Sequence, residues 1–293
     1  AVIVSTARTP IGKAYRGAFN NTESPTMGGH TIREAVKRAG IEPEEVDDVI
    51  MGCAVQQGTS GFNIGRTAGI VAGLPITVSG MSIDRQCSSG MMAIATAAKQ
   101  IIHDGMPIVV GAGLESISLV QNEHQNQYRA TDPNVLKIAG AAYMPMIDTA
   151  EVVAKRYNIS REVQDEYALQ SQQRTAAGQE NGKFDDEIVP MPSTKVIFNQ
   201  ENENTVQEDV LLEKDEGNRP STTLEGLQGL KPVREGGVIT AGNASQLSDG
   251  ASASVLMDSK LAEQKGLNPL GAYRGMAVAG CEPDEMGIGP VFA

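Results

Sequence analysis

Hydrophobic and polar positions alternate between two patterns in the first third of the chain. Short apolar runs at Val2–Val4, Val46–Cys53 and Pro107–Gly113 predict buried β-strands. Between them, Thr26–Ala39 and Asn63–Ala72 fit helices, and each is followed by a glycine that ends a helix. Strands that alternate with helices are typical of a layered α/β domain.

The segment 79–103 is the most informative part of this pattern. An apolar run with β character ends at Ile83, a polar turn follows, and Cys87 opens a helix that extends to about His103. Apolar side chains lie on almost every face of this helix, which predicts that it is buried. They are Met91, Met92, Ile94, Ala95, Ala97, Ala98, Ile101 and Ile102.

Cys87 is thereby predicted in the first turn of a buried helix, beside the small residues Ser88, Ser89 and Gly90. Free backbone N–H groups and the positive end of the helix dipole favour a thiolate, which is the nucleophilic form of cysteine. The same N–H groups can hold a developing oxyanion. A lone cysteine also packs as a small apolar residue, and the local sequence leaves both roles open.

The alternating pattern stops near Ser118 and does not return before Ile239. This stretch is polar and irregular, apart from helices predicted at Asp148–Tyr157 and Glu162–Asn181, the second with Ser160 as its N-cap. It is typical of an insertion into the sheet domain. After it, the pattern predicts a strand, a short helix and the start of another strand at Ala251–Met257, Ser259–Lys265 and Leu270–Ala279.

Composition excludes several classes of function. The net charge of −12 argues against a surface for nucleic acid or anionic membranes, and the 4% aromatic content offers little for base stacking. Cys53, Cys87 and Cys281 lack metal-ligand spacing and indicate reduced thiols in a cytoplasmic protein without a bound metal. No apolar run is long enough for membrane insertion.

Seven short motifs, spread from one end of the chain to the other, resemble those of thiolases, which are acetyl-CoA C-acyltransferases. All occur in the order that the family has. They are Ala7-Arg8-Thr9-Pro10-Ile11-Gly12, Cys87-Ser88-Ser89-Gly90-Met91, Gly111-Ala112-Gly113-Leu114-Glu115-Ser116, Thr149-Ala150-Glu151, Thr240-Ala241-Gly242-Asn243-Ala244-Ser245, Asp249-Gly250-Ala251 and Met286-Gly287-Ile288-Gly289-Pro290.

The resemblance implies an α/β thiolase fold, a layered α-β-α-β-α arrangement of two repeated halves with an inserted loop domain. Residues 1–117 and 240–268 would form the N-terminal half, residues 118–239 the loop domain that covers coenzyme A, and residues 269–293 the start of the C-terminal half. Only the first half and the start of the second would then be present. The family also implies a homodimer or homotetramer.

By the same resemblance, Cys87 is the nucleophile of an acyl transfer. It would attack a 3-ketoacyl-CoA, release acetyl-CoA and hold the shortened acyl group as a thioester until free CoA removes it. The reverse direction condenses two acyl-CoA molecules. This is covalent catalysis in which coenzyme A is a substrate and no other cofactor is needed.

The resemblance also implies a CoA site that can be named residue by residue. Arg219 would lie near the CoA nucleotide, while Gly226 and Leu230 would line the CoA channel. Ser245 would contact the pantetheine arm, and Met146 and Met286 would pack around the acyl and pantetheine groups. The positive charge of Arg219 suits a polyanionic ligand in an otherwise acidic segment.

Three further catalytic motifs of the family would lie beyond residue 293. They are a Gly-His-Pro histidine that activates the nucleophile, a Cys-x-Gly cysteine that acts as acid and base, and an Asn-Glu motif at an oxyanion site. His30, His103 and His124 lie in none of these motifs and are interpreted as structural or surface residues. Residues 1–293 alone are therefore expected to be inactive.

Two other functions remain open at this stage. One is a related condensing enzyme that acts on thioesters of a carrier protein and shares the nucleophilic cysteine. The motif Thr240–Ser245 together with the long insertion favours free CoA instead. The other is a non-catalytic, thiolase-like CoA-binding protein, against which the presence of Cys87 argues.

Overall fold

The computed structural model describes residues 1–199 and 204–293. Its strands are β1 Val2–Arg8, β2 Gly12–Lys13, β3 Asp48–Gly52, β4 Ser79–Ile83, β5 Ile108–Glu115, β6 Met191–Asn199, β7 Asn204–Leu212, β8 Ser248–Met257 and β9 Gly271–Ala272. Its α-helices are α1 Ser24–Ala39, α2 Ile64–Ala72, α3 Ser89–Lys99, α4 Ile117–Val120, α5 Pro133–Ile138, α6 Met146–Arg156, α7 Arg161–Glu180, α8 Leu224–Gln228, α9 Ser259–Gln264 and α10 Gly289–Phe292.

The chain divides into two compact units. Unit 1 comprises residues 1–125, 184–217 and 247–275, and unit 2 comprises residues 126–183, 218–246 and 276–293. The domain boundaries predicted from the sequence stay a prediction. Across the described ranges, no helix has the length and apolar character needed to cross a membrane.

Unit 1 is built around one mixed sheet with the strand order β4-β3-β5-β8-β1-β9, to which β2 adds beside β8. The strand β3 runs parallel to both β4 and β5, and β8 runs antiparallel to β5 and β1. Parallel neighbours need a crossover, and the helices between these strands supply it.

The two faces of this sheet carry separate hydrophobic cores. Val49 and Met51 of β3 belong to a core shared with α1 and α2, whereas Ile50 between them belongs to a second core shared with α3. Successive side chains of a strand point to opposite faces, so the helices on each face pack against a different set of strand side chains. The predicted layered α/β architecture is confirmed, with helices on both sides of the sheet.

The helix ends in unit 1 follow the chemistry predicted from sequence. Gly40 after α1 and Gly73 after α2 both adopt the left-handed conformation, with φ of 63° and 91°. Asn63 caps α2 by accepting a hydrogen bond from the backbone N–H of Arg66. Glycine ends helices at this position because it has no Cβ to strain the left-handed backbone.

The predicted burial of the Cys87 helix is wrong for this chain. The helix begins at Ser89, two residues after Cys87, and continues through a π-turn at Gln100–Asp104. Only the face towards the sheet is covered, while Met91 and Ile102 on the outer side are 72% and 49% exposed. Cys87 itself is exposed.

Two other predictions also need correction. The stretch predicted to be irregular contains the hairpin β6–β7, in which β6 and β7 pair antiparallel over their whole length. Conversely, the strand predicted to begin within Leu270–Ala279 is limited to β9, which pairs with β1 through two residues. In β7 most side chains are exposed, so the strand lacks the apolar alternation that would have revealed it.

Unit 2 consists mainly of helices, as the sequence pattern predicts. Ser160 caps α7 by accepting a hydrogen bond from the N–H of Val163, which confirms its predicted role. A 3₁₀ segment, Pro283–Ile288, packs against α6, where the Arg156 guanidinium contacts the carboxylates of Asp284 and Glu285 at 2.6 Å each.

Gly52 offers a test of this packing, because the end of β3 lies directly against the first turn of α3. A Cβ at position 52 would overlap the Ser89 carbonyl and the backbone nitrogen of Gly90. We expect Gly52→Ala to lower the free energy of unfolding by about 3 kcal/mol, the upper range for overpacking, in urea titrations. The control is Gly275→Ala, where a Cβ meets open space. Equal stability of the two variants would contradict the close contact.

Candidate functional site

Cys87 lies in a tight turn between β4 and α3. The backbone N–H groups of Ser88 and Ser89 donate to the carbonyls of Arg85 and Gln86, at 3.1 and 3.0 Å. Gln86 has a φ of 47°, in the left-handed region that residues with side chains seldom adopt. The turn therefore presents the exposed thiol immediately before the N-terminus of α3.

The side chains of Ser88 and Ser89 hold this turn in place. The Ser89 hydroxyl is buried, accepts from the Arg85 N–H at 2.8 Å and donates to the Gln86 carbonyl at 2.6 Å. The Ser88 hydroxyl donates to the Arg85 carbonyl at 2.9 Å. These serines were noted in the sequence for their small size, but their hydrogen bonds to the backbone also fix the Cys87 turn.

The three cysteines differ sharply in their surroundings. Cys53 is buried, and its thiol lies 3.6 Å from Oε1 of Glu115. Desolvation, together with the negative charge of Glu115, raises the pKa of Cys53 to about 12. Cys281 is half-buried, and Cys87 is exposed. A thiol such as Cys53 stays protonated near neutral pH and is therefore a poor nucleophile. Cys87 does not have the burial that contributes to this in Cys53.

In the part of the chain that the structure describes, none of the three histidines is hydrogen-bonded to Cys87. His30 bonds to the Pro190 carbonyl at 3.1 Å, and burial lowers its pKa. His103 lies at the far end of the helix that follows Cys87, a separation of about 20 Å at 1.5 Å per residue. His124 is 83% exposed. Among the described residues, no cluster of His, Cys, Asp or Glu has the arrangement of a metal site.

Unit 2 contains a cavity of about 250 Å³ between α7, α8 and the loop that follows Thr240. Complete ligand sites usually occupy about 300–1,000 Å³, so this cavity suits one part of a long ligand. It gathers three of the residues predicted to contact CoA. Its lining is Gln172, Arg219, Ser221, Thr222, Thr223, Gly226, Leu227, Leu230, Ala241, Gly242, Ala244 and Gln246.

Hydrogen bonds hold the main chain of Arg219, while its guanidinium is unpaired among the described residues. Its N–H donates to Oε1 of Gln172 at 2.8 Å, and its carbonyl accepts from the Thr222 hydroxyl at 2.7 Å. Within the ranges 1–199 and 204–293, its guanidinium forms no ion pair. An anchored backbone with an unpaired guanidinium at a cavity is suited to binding an anionic group.

Gln172 is a residue of this cavity that the sequence analysis missed. Its side-chain oxygen accepts from the Arg219 N–H and from Nδ2 of Asn218, which lies 2.9 Å away. The Asn218 amide also donates to the Gln172 carbonyl at 2.9 Å. Gln172 lies in a polar helix, and nothing in the local pattern distinguishes it from neighbouring surface glutamines.

The other predicted CoA contacts, Ser245, Met146 and Met286, are not among the residues that line the cavity. Ser245 is exposed and lies between the lining residues Ala244 and Gln246. Met146 begins α6 and is 57% exposed, whereas Met286 in the 3₁₀ segment is 37% exposed. Their roles stay predictions.

Comparisons with known proteins agree with this fold. The family model described as "Thiolase, N-terminal domain" matches residues 1–260. A 3-ketoacyl-CoA thiolase of Bacillus subtilis is 42% identical, in an alignment covering 100% of this chain and 74% of that protein.

Two solved structures are similar to the chain along nearly its whole length. The Bacillus anthracis acetyl-CoA acetyltransferase has a TM-score of 0.84 at 40% identity, covering 98% of this chain and 73% of that one. Human mitochondrial 3-ketoacyl-CoA thiolase has a TM-score of 0.82 at 33% identity, covering 100% and 74%. With a family model that spans most of its residues and a relative at this level of identity, the chain belongs to the thiolase family.

Proposed function

We propose that this chain carries the acyl-accepting cysteine and part of the CoA site of a thiolase that acts on 3-ketoacyl-CoA. The observation that supports this most directly is the position of Cys87, exposed in a serine-held turn just before a helix N-terminus. The names of the relatives supply the substrate class, since that of Bacillus subtilis is a 3-ketoacyl-CoA thiolase.

The proposed reaction consists of two acyl transfers. The Cys87 thiolate attacks the C3 carbonyl of the substrate, the C2–C3 bond breaks, and its electron pair takes up a proton to give acetyl-CoA. The shortened acyl group remains as a thioester on Cys87. A CoA thiolate then attacks that thioester, forms the new acyl-CoA and returns the Cys87 thiolate. Both steps place negative charge on a carbonyl oxygen.

The N-terminus of α3 is suited to stabilise that charge. The first N–H groups of an α-helix have no acceptor within the helix. In α3 the N–H of Ser89 already donates to the Gln86 carbonyl, so the N–H groups that follow it are the ones we propose for the oxyanion. A helix N-terminus also carries partial positive charge, which favours an oxyanion as well as a thiolate. We propose that CoA binds at the cavity of unit 2, with Arg219 contacting an anionic group of the nucleotide.

The exposed outer face of α3 is compatible with the homodimer or homotetramer implied by the family. We propose a cytoplasmic location because Cys53, Cys87 and Cys281 are all free thiols.

Cys87 should be the most reactive of the three cysteines and the one protected by substrate. Iodoacetamide, with and without acetoacetyl-CoA, followed by peptide mass spectrometry, measures this directly. We expect rapid labelling of Cys87, protection by acetoacetyl-CoA, and the slowest labelling at Cys53, whose thiol is buried and has a raised pKa. A Cys87→Ser chain serves as the control. Faster labelling of Cys53 or Cys281, without protection of Cys87, would overturn the proposed function.

Arg219→Ala should weaken CoA binding through loss of charge. We expect the Kd measured by calorimetry to rise about tenfold, equivalent to about 1.4 kcal/mol, and the difference to shrink at high salt because Arg219 is exposed. Arg174→Ala removes the same charge from an exposed position of α7 outside the cavity lining and should leave the Kd unchanged. Equal effects of the two variants would rule out a specific contact.

Residues 1–293 alone should give thiolysis near background. Among the described residues no histidine is hydrogen-bonded to Cys87, and each acid–base group typically contributes a factor of roughly 10²–10⁴ in rate. Cleavage of acetoacetyl-CoA, measured beside the Bacillus subtilis relative, tests this. Activity within tenfold of that enzyme would mean that His30, His103 or His124 has been assigned the wrong role.

A further inference from the structure

Unit 2 buries one carboxylate completely, that of Asp165 in α7, which is 0% exposed. Its Oδ2 accepts from Nε of Arg161 at 2.7 Å, one helical turn earlier. Its Oδ1 accepts from Nδ2 of Asn243 at 3.1 Å, although Asn243 lies 78 residues later in the sequence. A buried charge is tolerated only when it is paired and hydrogen-bonded, and here both oxygens have partners.

Through Arg161, this carboxylate is connected to one wall of the cavity. The Nη2 group of Arg161 donates to the carbonyl of Leu227 at 2.7 Å and to that of Leu230 at 3.0 Å. These carbonyls lie at the C-terminal end of α8, where a helix leaves its last carbonyls without internal donors. Leu227 and Leu230 both line the cavity, so the Arg161 guanidinium holds the backbone of this wall in place.

Through Asn243, the same carboxylate is connected to a second wall of the cavity. The Asn243 side chain accepts from the N–H of Thr240 at 2.8 Å and donates to the Val238 carbonyl at 3.1 Å. These bonds shape the loop whose residues Ala241, Gly242 and Ala244 line the cavity.

The two walls also touch each other directly. A Cβ placed on Gly242 would lie 2.6 Å from a methyl carbon of Leu227 and 2.6 Å from one of Leu230. Such a distance is below van der Waals contact, so a side chain at position 242 would have to displace these two leucine methyl groups. A small shift of either wall would therefore change the width of the cavity.

We infer that Asp165 is a positioning residue for CoA, because its carboxylate links the two walls of the cavity through Arg161 and Asn243. This inference rests on the proposed binding of CoA at this cavity. Asp165 does not line the cavity and would act on the ligand only through the two residues that it holds.

The chemistry of the contact requires an acceptor on both sides. Arg161 and Asn243 each present an N–H group to Asp165, and a carboxylate is the side chain that offers only acceptors. An asparagine of the same shape has one carbonyl oxygen and one NH₂ group. Whichever way its amide turned, the NH₂ group would face a donor, and one wall would lose its link.

Asp165→Asn tests this with little change in volume. We expect the Kd for CoA, measured by calorimetry, to rise at least tenfold, with the same increase at low and high salt because the contact is buried. The rate of Cys87 alkylation in unit 1 should stay unchanged. Glu166→Gln is the matched control, since it removes the same charge from the next, exposed residue of α7 and should not alter the Kd.

A second variant tests whether weaker CoA binding comes from a lost contact or from general unfolding. Arg161→Lys keeps the positive charge beside Asp165 but lacks the Nη2 group that donates to Leu227 and Leu230. It should also weaken CoA binding, because the carbonyls of Leu227 and Leu230 lose their donor. Losses of binding that follow the thermal midpoint alone would overturn the positioning role.

Titration of the wild-type chain with CoA tests the proposed cavity separately from the role of Asp165. If the wild-type chain binds no CoA, the proposed CoA cavity fails, and the positioning role fails with it. If wild type binds CoA and Asp165→Asn binds it equally well, the cavity stands and the role of Asp165 is wrong. Binding that is weakened by Asp165→Asn and not by Glu166→Gln supports both.

Discussion

The close contact between α3 and the sheet of unit 1 is the constraint on which the position of Cys87 depends. A Cβ at Gly111 would lie 2.8 Å from Cα of Ile94, and one at Gly113 would lie 3.1 Å from Cα of Gly90. Glycines on the strand let the helix backbone rest almost directly on the strand backbone. Because protein interiors are closely packed, this contact fixes the start of α3 on the sheet. The turn held by Ser88 and Ser89 then fixes Cys87 relative to the start of the helix.

Elements of the sheet domain could be predicted because their signals are local. Gly40 and Gly73 mark helix ends, and Asn63 marks a helix start, through backbone conformations and caps that these residue types favour. The hairpin β6–β7 could not be predicted in this way, because β7 is largely exposed and only Val210 and Leu212 near its end pack against the core. Its pairing depends on a partner strand, which a window of sequence does not contain.

The residues of the candidate site also differ in whether a local sequence pattern can predict them. The position of Cys87 follows from a local strand–turn–helix pattern, although its exposure depends on what covers α3. Gln172 and Asp165, in contrast, act on residues far away in sequence: Arg219 is 47 residues from Gln172, and Asn243 is 78 residues from Asp165. A polar helix such as α7 does not reveal which of its residues faces inward, because its polarity hides the periodicity that burial usually produces.

The arrangement of charges in unit 2 explains how an acidic chain can offer a site to an anionic ligand. Carboxylates there have local donors: Asp148 contacts Arg234 at 2.6 Å, and Glu151 accepts from backbone N–H groups of the loop before Thr240. A carboxylate paired with an arginine contributes little net field at a distance because the arginine offsets its charge, whereas a carboxylate bonded to backbone N–H groups keeps its charge. Arg219 lines the cavity with its guanidinium unpaired among the described residues, so a positive group is present there although the net charge of the chain is negative.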